Sequence, residues 1–412
     1  MAILLLAVIY LAFISLGLPD SLFGVSWPLM HLELNLDEGF AAVYMLIVGV
    51  CTASVSFLAG PIIRKLGTEW VTAVSVTLTA VGMLGIGLSP NIWIMMIFAI
   101  MLGIGAGAID TALNDFVSKH YKARHMSWLH GFWGIGVTLS PLIMSIFLEM
   151  GGWRGGYMTM SYIQFGLAAI MFVSLPLWRK VRAIHDKQDK AIKDKELEKN
   201  EKTVEEIDSE TTPGEKKKRF NIFKEKGVIF AGIALALYCG MEYIVGLWGA
   251  SYLVNTRFLS PAVAARYVSL YYGGIMAGRF LTGALTLKLS NKILIRGGTV
   301  ICLLGVVLLA IPLDVLALPG MLLIGIGFGP IFPTSIDSTK LRFNPKYSAD
   351  IIGFQMGFAY IGAFIAQLTL GYVATRTTWT IFPYVLVAMA ALLFISVEIV
   401  NFKTRNKNSV IK

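Results

Sequence analysis

The sequence predicts an all-α membrane protein of twelve transmembrane helices in two pseudo-symmetric six-helix halves. Three observations predict it. First, hydrophobic residues make up 56% of the 412, above the roughly 45–50% usual for a soluble chain, while Asp, Glu, Lys and Arg together make up only 15% against about 25%. Second, the charge is concentrated. Residues 179–226 hold 15 Lys/Arg and 12 Asp/Glu, and the rest of the chain is a succession of apolar runs near the roughly 20 residues an α-helix needs to cross a bilayer. Third, short patterns recur between the parts before and after that stretch. A soluble enzyme, a secreted domain and a disordered scaffold are excluded.

The first span covers about residues 3–30. Residues 2–18 are apolar with no basic segment before them, so they read as a helix rather than a cleaved leader, and the helix resumes after Pro19-Asp20. Spans two to six follow at about 40–61, 70–89, 92–117, 127–149 and 156–178. Spans seven to twelve lie at about 227–254, 262–287, 292–312, 314–337, 348–374 and 380–402. The charge in the connections orients them. The even-numbered loops carry Arg64, Lys65, Lys119, Lys122, Arg124, Lys288, Lys292, Arg296, Lys340, Arg342 and Lys346. With the central stretch and the tail, thirty Lys/Arg fall on that side, against Arg154, Arg257, Arg266 and Arg376 on the other. Such a bias places the even loops and both termini in the cytoplasm of a cell-membrane protein. The net charge of +10 therefore reports topology and contact with anionic lipid rather than nucleic acid. Cys51, Cys239 and Cys302 are too scattered for a disulfide framework or a metal site.

Four regions follow: a six-helix half over 1–178, a cytoplasmic linker over 179–226, a second six-helix half over 227–402 and a tail over 403–412. The linker is too polar to bury a core. The halves repeat at an offset of about 222. Gly60 to Thr68 aligns with Gly283 to Asn291, Gly103-Ile-Gly-Ala-Gly107 with Gly325-Ile-Gly-Phe-Gly329, Asp115 with Asp337, and Gly131-Phe132 with Gly357-Phe358. Duplicated six-helix halves related by an axis along the membrane normal place a substrate site at midplane between them.

Ionisable residues at bilayer depth cost at least about 2.5–3.5 kcal/mol each, so each needs a reason. Asp20 lies roughly 15 Å from the outer end of its helix and Asp110 roughly 13 Å from the inner end of its own, at 1.5 Å per residue; Glu242 is near the centre of the seventh span. The three acids converge in depth with no midplane lysine. A carboxyl left without a cation in a low dielectric favours its protonated form, the property of a proton-coupling site, so Asp20, Asp110 and Glu242 are the candidates for that role. The other expected substrate contacts are Asn114, one turn from Asp110 on the same face, with His130, Trp133, Tyr238, Trp248, Tyr271, Gln355 and Trp27. Tyr272 is a further aromatic near them. His130 serves either as a satisfied donor or as a proton relay, and the sequence leaves both open. Arg279, eight residues from the basic end of its span, is expected to brace that end against Asp337, with Asp115 and Arg64 in the same structural group. Carboxylates, amides and aromatic faces suit a polyhydroxylated molecule, and no Arg/Lys cluster invites a multiply anionic one.

At these residues the sequence resembles the fucose and glucose–galactose permease group of the major facilitator superfamily. The first span has Leu18-Pro-Asp20-Ser-Leu22, the fourth Ile109-Asp110-Thr-Ala-Leu-Asn114-Asp115-Phe116, and the seventh Tyr238-Cys-Gly-Met-Glu242-Tyr-Ile-Val-Gly246-Leu-Trp248. Gly278-Arg279-Phe280 with Gly283 is similar to the group's eighth-helix segment, and Leu129-His130 falls where the group has a glutamine. The resemblance implies sugar uptake in symport with protons, with sugar-binding and coupling roles at Asp20 and Asp110. An Asp for the group's fourth-helix Glu, Asp115 for a Pro and a degenerate Gly60, Arg64, Lys65, Gly67 loop depart from its pattern. The reading is a proton-coupled importer of a small polyhydroxylated substrate acting by alternating access. It uses a proton gradient and no cofactor or metal, and works as a monomer in the bilayer. A proton-coupled exporter, a glycolipid flippase and a nutrient sensor of the same fold are the alternatives. No metal-ligand, nucleophile-elbow or P-loop motif suggests an enzyme.

Overall fold

A computed structural model describes residues 2–121, 123–204, 225–344 and 347–404. Linker residues 205–224, Lys122, Lys346 and the tail beyond 404 lie outside the described residues, as do the side chains of Lys119, Arg124 and residues 182–204. The helices are α1 (Ala2–Asp20), α2 (Leu22–Glu33), α3 (Phe40–Leu66), α4 (Thr68–Leu88), α5 (Ile92–His120), α6 (Ala123–Glu149), α7 (Arg154–Val204), α8 (Val228–Arg257), α9 (Pro261–Leu285), α10 (Asn291–Ala310), α11 (Asp314–Asp337), α12 (Thr339–Arg342), α13 (Ser348–Arg376) and α14 (Ile381–Lys403). Every predicted span is a helix, and the first is α1 and α2 together. Among the described residues eleven spans are long and apolar enough to cross a membrane. The twelfth is α9, whose apolar run is interrupted by Arg266, Tyr267, Tyr271, Tyr272 and Arg279. Its polarity marks the element that carries a charge into the interior. Helix α7 continues well past its apolar part, for 51 residues in all or about 75 Å. The expected boundary between first half and linker at 178/179 therefore falls inside a continuous helix.

The repeat is visible in how the glycine motifs pack. On α5, a Cβ at Gly103 or Gly107 would strike the α3 backbone at Val48 or Thr52, whereas one at Gly105 would strike α4 at Ser75. On α11, Gly325 and Gly329 press against α9 at Tyr271 and Gly278, whereas Gly327 presses against α10 at Gly298 and Cys302. In each half the fourth span thus lies between the second and third, and the motif alternates between them in the same order. Small residues let the backbones meet where no hydrophobic force between lipid-facing helices would draw them together.

Proline positions explain where the first helix breaks. Pro19 offers no N–H to the carbonyl of Ser15 four residues earlier, and α1 ends at Asp20 before α2 starts at Leu22. The freed Ser15 carbonyl is taken by Nε2 of Gln164 on α7 at 3.1 Å; the same amide nitrogen reaches Ser15 Oγ at 2.8 Å and Thr79 Oγ1 at 2.7 Å. Pro141 on α6 likewise frees the carbonyl of Val137, and Ser21, the residue in the break, donates its hydroxyl to it at 2.9 Å. Ser21 also meets Ser140 Oγ at 2.8 Å. A broken helix in a membrane protein survives only where neighbours satisfy its backbone, and here each break supplies or receives the missing donor. The result fixes Asp20 against α6.

Gln164→Leu is expected to lower stability by about 1–3 kcal/mol, the cost of leaving buried polar groups without a donor, read as a lower thermal midpoint in detergent. Pro19→Ala returns an N–H to Ser15, so Gln164→Leu should cost less in that background. An equal cost in both backgrounds would place the value of the amide in its hydroxyl contacts alone.

Candidate functional site in the centre of the bundle

The break in the first span presents Asp20 to the middle of the molecule. Its carboxylate accepts the indole N–H of Trp133 on α6 at 2.7 Å, and Gly17 on Gly136 holds α1 and α6 in backbone contact one turn away. Asp20 is solvent-exposed, yet its electrostatic neighbours are Asp110 on α5 and Glu242 on α8. Solvent at a residue enclosed by other helices means an internal chamber. Asp110, half-buried on α5, accepts from Asn114 Nδ2 at 2.9 Å, and the same amide reaches the Asp110 carbonyl at 2.9 Å. Among the described residues neither Asp20 nor Asp110 has an ion-pair partner. Each is held by a neutral N–H, which orients a carboxylate without cancelling its charge.

Glu242 differs. Arg279 on α9 approaches it with Nη2 to Oε1 at 3.3 Å, and both side chains are nearly buried. The guanidinium also lies over the Trp133 ring, 4.8 Å from its centroid. Two sequence expectations are corrected here. Glu242, expected to lack a cationic partner, has one, and Arg279 pairs with Glu242 rather than with Asp337 at the basic end. Counting residues along the helix placed its Cα near that end, but a long side chain carries its charge several ångströms from the backbone. Asp337 is instead held by Lys340 at 2.6 Å and Asn291 at 3.0 Å. Asp115 is half-buried near the basic end of α5, and Arg64 is exposed in the last turn of α3.

The remaining expected contacts separate into groups. Tyr238 is fully buried beside Glu242 and Arg279, its hydroxyl in hydrogen-bond geometry with neither. Tyr271 is also buried and donates to the main-chain oxygen of Glu242 at 3.2 Å. Tyr272 meets Trp133 edge-on at 6.4 Å. His130 is half-buried, edge-on to Phe13 at 5.8 Å, with Arg279 as its electrostatic neighbour. Three expected contacts lie elsewhere. Gln355, early in α13, accepts from Thr339 Oγ1 at 2.8 Å and lines a small cavity with Arg342 at the basic end. Trp27 donates to the Glu38 carbonyl at 2.7 Å, and Trp248 donates to the Gln367 carbonyl at 3.1 Å while packing on Trp379. Both tryptophans are completely buried toward the end opposite the basic one. Residue type suggested these three; depth along the helix separates them from the acids.

Two tyrosines that the sequence reading passed over stand closer to the chamber. Tyr243 on α8 has Asp20, Tyr360 and Glu242 as electrostatic neighbours, and Tyr360 on α13 has Asp110. Both rings are exposed. The signal for Tyr243 was its place beside Glu242; Tyr360 lies in an ordinary apolar run with nothing to distinguish it.

The opposite end is shut. Glu38, between α2 and α3, accepts from Asn255 on α8 at 3.0 Å and from Trp379, just before α14, at 2.9 Å. Arg266 on α9 pairs with Glu149 on α6, and Gly24 on α2 touches the Gly246 backbone on α8. Ser269 donates to the Thr138 carbonyl nearer the middle at 2.6 Å.

Two six-helix halves that meet around these acids are the layout of a membrane transport protein rather than an enzyme. The chain belongs to the Major Facilitator Superfamily, whose sequence model matches residues 9–367. It is 24% identical over 367 residues to the glucose/mannose transporter GlcP of Bacillus subtilis, covering 86% of this chain and 84% of that one. It is also 24% identical over 395 residues to a probable hexose phosphate transport protein of Chlamydia trachomatis, covering 90% and 85%. The crystal structure of a D-xylose–proton symporter superposes with a TM-score of 0.70 at 13% identity over 98% of both chains, a likeness of fold.

Glu38→Ala removes the acceptor for donors from two elements of the second half. Spin labels introduced as Asp37→Cys and Thr378→Cys should show a longer distance population in that variant than in the otherwise wild-type protein. An unchanged distribution would mean that the Arg266–Glu149 pair and the Gly24 contact suffice to keep this end shut.

Proposed function

We propose that the chain imports a monosaccharide together with a proton by alternating access, with the basic end in the cytoplasm. The observation that carries this reading is the difference between the acids: Asp20 and Asp110 meet the chamber held only by neutral donors, while Glu242 has Arg279. An acid without a counter-charge in low dielectric gains from taking a proton, and a proton gained from one face and lost to the other couples the gradient to movement of the substrate. About 100 mV of membrane potential supplies roughly 2.3 kcal/mol per charge, and about 1.4 kcal/mol is tenfold. One proton per cycle thus supports accumulation on the order of fifty-fold before any pH gradient is added.

The substrate class follows from the same groups. Sugar hydroxyls donate to Asp20, Asp110 and the amide oxygen of Asn114, and the C–H face of a ring lies against Tyr243 or Tyr360. With Arg279 already balanced by Glu242, a phosphate or carboxylate would meet uncompensated negative charge, so the uncharged hexoses carried by the glucose/mannose transporter relative fit better than the sugar phosphates of the other. The positive bias of the loops supports cytoplasmic termini.

The test is uptake into proteoliposomes of a panel of labelled monosaccharides, with and without an inward proton gradient. Gradient-dependent accumulation of at least one supports the reading, and none accumulated overturns it. Asp110→Asn should abolish accumulation while leaving binding and exchange measurable. Asp20→Asn should weaken binding, its pH dependence, or both. Tyr243→Ala should raise KM several-fold with a smaller change in the maximal rate, because it removes a surface under the sugar and no proton carrier.

A further inference from the structure

The Glu242–Arg279 pair has no assigned purpose. A buried ion pair is poor value for stability, because desolvating two charges cancels most of their attraction. This pair is also not built for strength, since a single contact at 3.3 Å stands where a guanidinium can make two parallel bonds. The rest of the guanidinium is used otherwise. Its Cζ lies 4.8 Å from the centroid of the Trp133 ring, and that indole is the donor to Asp20 at 2.7 Å. A cation over an indole face is held by the ring quadrupole, and by drawing electron density it makes the ring N–H a stronger donor. Trp133 belongs to the first half and Arg279 to the second, so a continuous line of contacts runs from Glu242 through Arg279 and Trp133 to Asp20. Helices α6 and α9 keep this line in register, with Phe280 on Gly131 and Met276 on Gly134.

We propose that Glu242 and Arg279 are positioning residues, a permanently charged and jointly neutral pair that holds Trp133 against Asp20, and that Glu242 does not carry the coupled proton. The inference rests on the proton-coupled reading above and assigns the proton to the first half. The hydrogen-bond and electrostatic neighbours of Asp20 are Trp133 on α6, Asp110 on α5, Glu242 and Tyr243 on α8 and Tyr272 on α9; Arg279 on α9 lies over Trp133, and His130 on α6 is an electrostatic neighbour of Arg279. Of these, only Glu242 has a fixed counter-charge, so only its proton would have to displace an arginine. Neutralising both members together should therefore spare coupling, whereas neutralising one leaves its partner buried and uncompensated.

Two measurements on the full chain decide it. In proteoliposomes with labelled D-glucose, Glu242→Gln/Arg279→Gln should keep the steady-state accumulation ratio within about threefold of wild type while its initial rate falls about tenfold, because the ratio reads coupling and the rate reads positioning. Arg279→Lys, which keeps a cation over the ring, should recover much of the rate. A double variant that exchanges D-glucose at the wild-type rate but does not accumulate it makes Glu242 a carrier and overturns the proposal. The second measurement needs no substrate: the infrared C=O stretch of protonated carboxyl groups during a pH step, in purified protein. Bands should disappear in Asp20→Asn and in Asp110→Asn and persist in the Glu242→Gln/Arg279→Gln protein. A band lost in the double variant also overturns the proposal. If wild type transports no sugar, the monosaccharide reading fails and the infrared result still decides which acid takes the proton.

Discussion

The constraint on which the rest depends is that a charge in the apolar middle of a bundle must be either paired or reachable by water. This protein uses both solutions within one chamber. Arg279 needed a carboxylate and has Glu242; Asp20 and Asp110 lack cations and instead sit where solvent enters. The geometry that separates the two cases is set by backbone features far simpler than the site itself. Asp20 is where it is because Pro19 ends α1 and Ser21 anchors the start of α2 to α6. Arg279 reaches the centre because α9 is polar enough to hold it and packs along α6 at Gly131 and Gly134.

The same rule governs the backbone. Proline in a membrane helix leaves a carbonyl without its donor, and the protein answers with side chains from other helices: Gln164 for Ser15, Ser21 for Val137. These contacts tie α1, α2, α6 and α7 into one unit around the break. The polar residues most deeply buried in the first half therefore serve the backbone, and the acids are left free for the chamber. Without Gln164 and Ser21 the broken helix would need water at its break, and Asp20 would lose its fixed approach to Trp133.

Most of the fold was legible in the sequence because the bilayer sets element length and the loops carry the charge. All twelve spans, the break at Pro19-Asp20 and the glycine repeat follow from residue type and spacing. The site was legible in part. Asp20, Asp110 and Glu242 do approach one another, since depth along a helix can be counted. Azimuth and side-chain reach cannot be counted, and they account for the differences. Arg279 lies toward Glu242 rather than Asp337, and Gln355, Trp27 and Trp248 lie at the wrong level or on the wrong face. Tyr360 went unnoticed because a tyrosine in an apolar helix is usually packing. The continuation of α7 past its apolar part, in a helix of 51 residues in all, is a further case, for charge density marks where a helix leaves the membrane and not where it stops.

The distribution of close contacts bears on how such a molecule could alternate. Within each half several crossings are backbone against backbone: Gly17 on Gly136, Gly278 on Gly329, Gly298 on Gly327. Such contacts have no side chain to rearrange, which suits the proposed alternation between two halves. Between the halves two contacts nearer the middle are a side chain on a glycine, Phe280 on Gly131 and Met276 on Gly134, beside the hydrogen bond from Ser269 to the Thr138 carbonyl. The backbone contact of Gly24 with Gly246 lies in the shut end with Glu38 and Arg266. It is a contact that opening would have to break, and it stands beside hydrogen bonds that water can replace. A seal made of replaceable bonds is what the proposed rocking motion needs at the shut end. The Arg279–Trp133 contact crosses the interface between the halves. Under the proposed coupling, rotation of one half against the other shifts Arg279 over Trp133 and so acts on the hydrogen bond that Asp20 accepts.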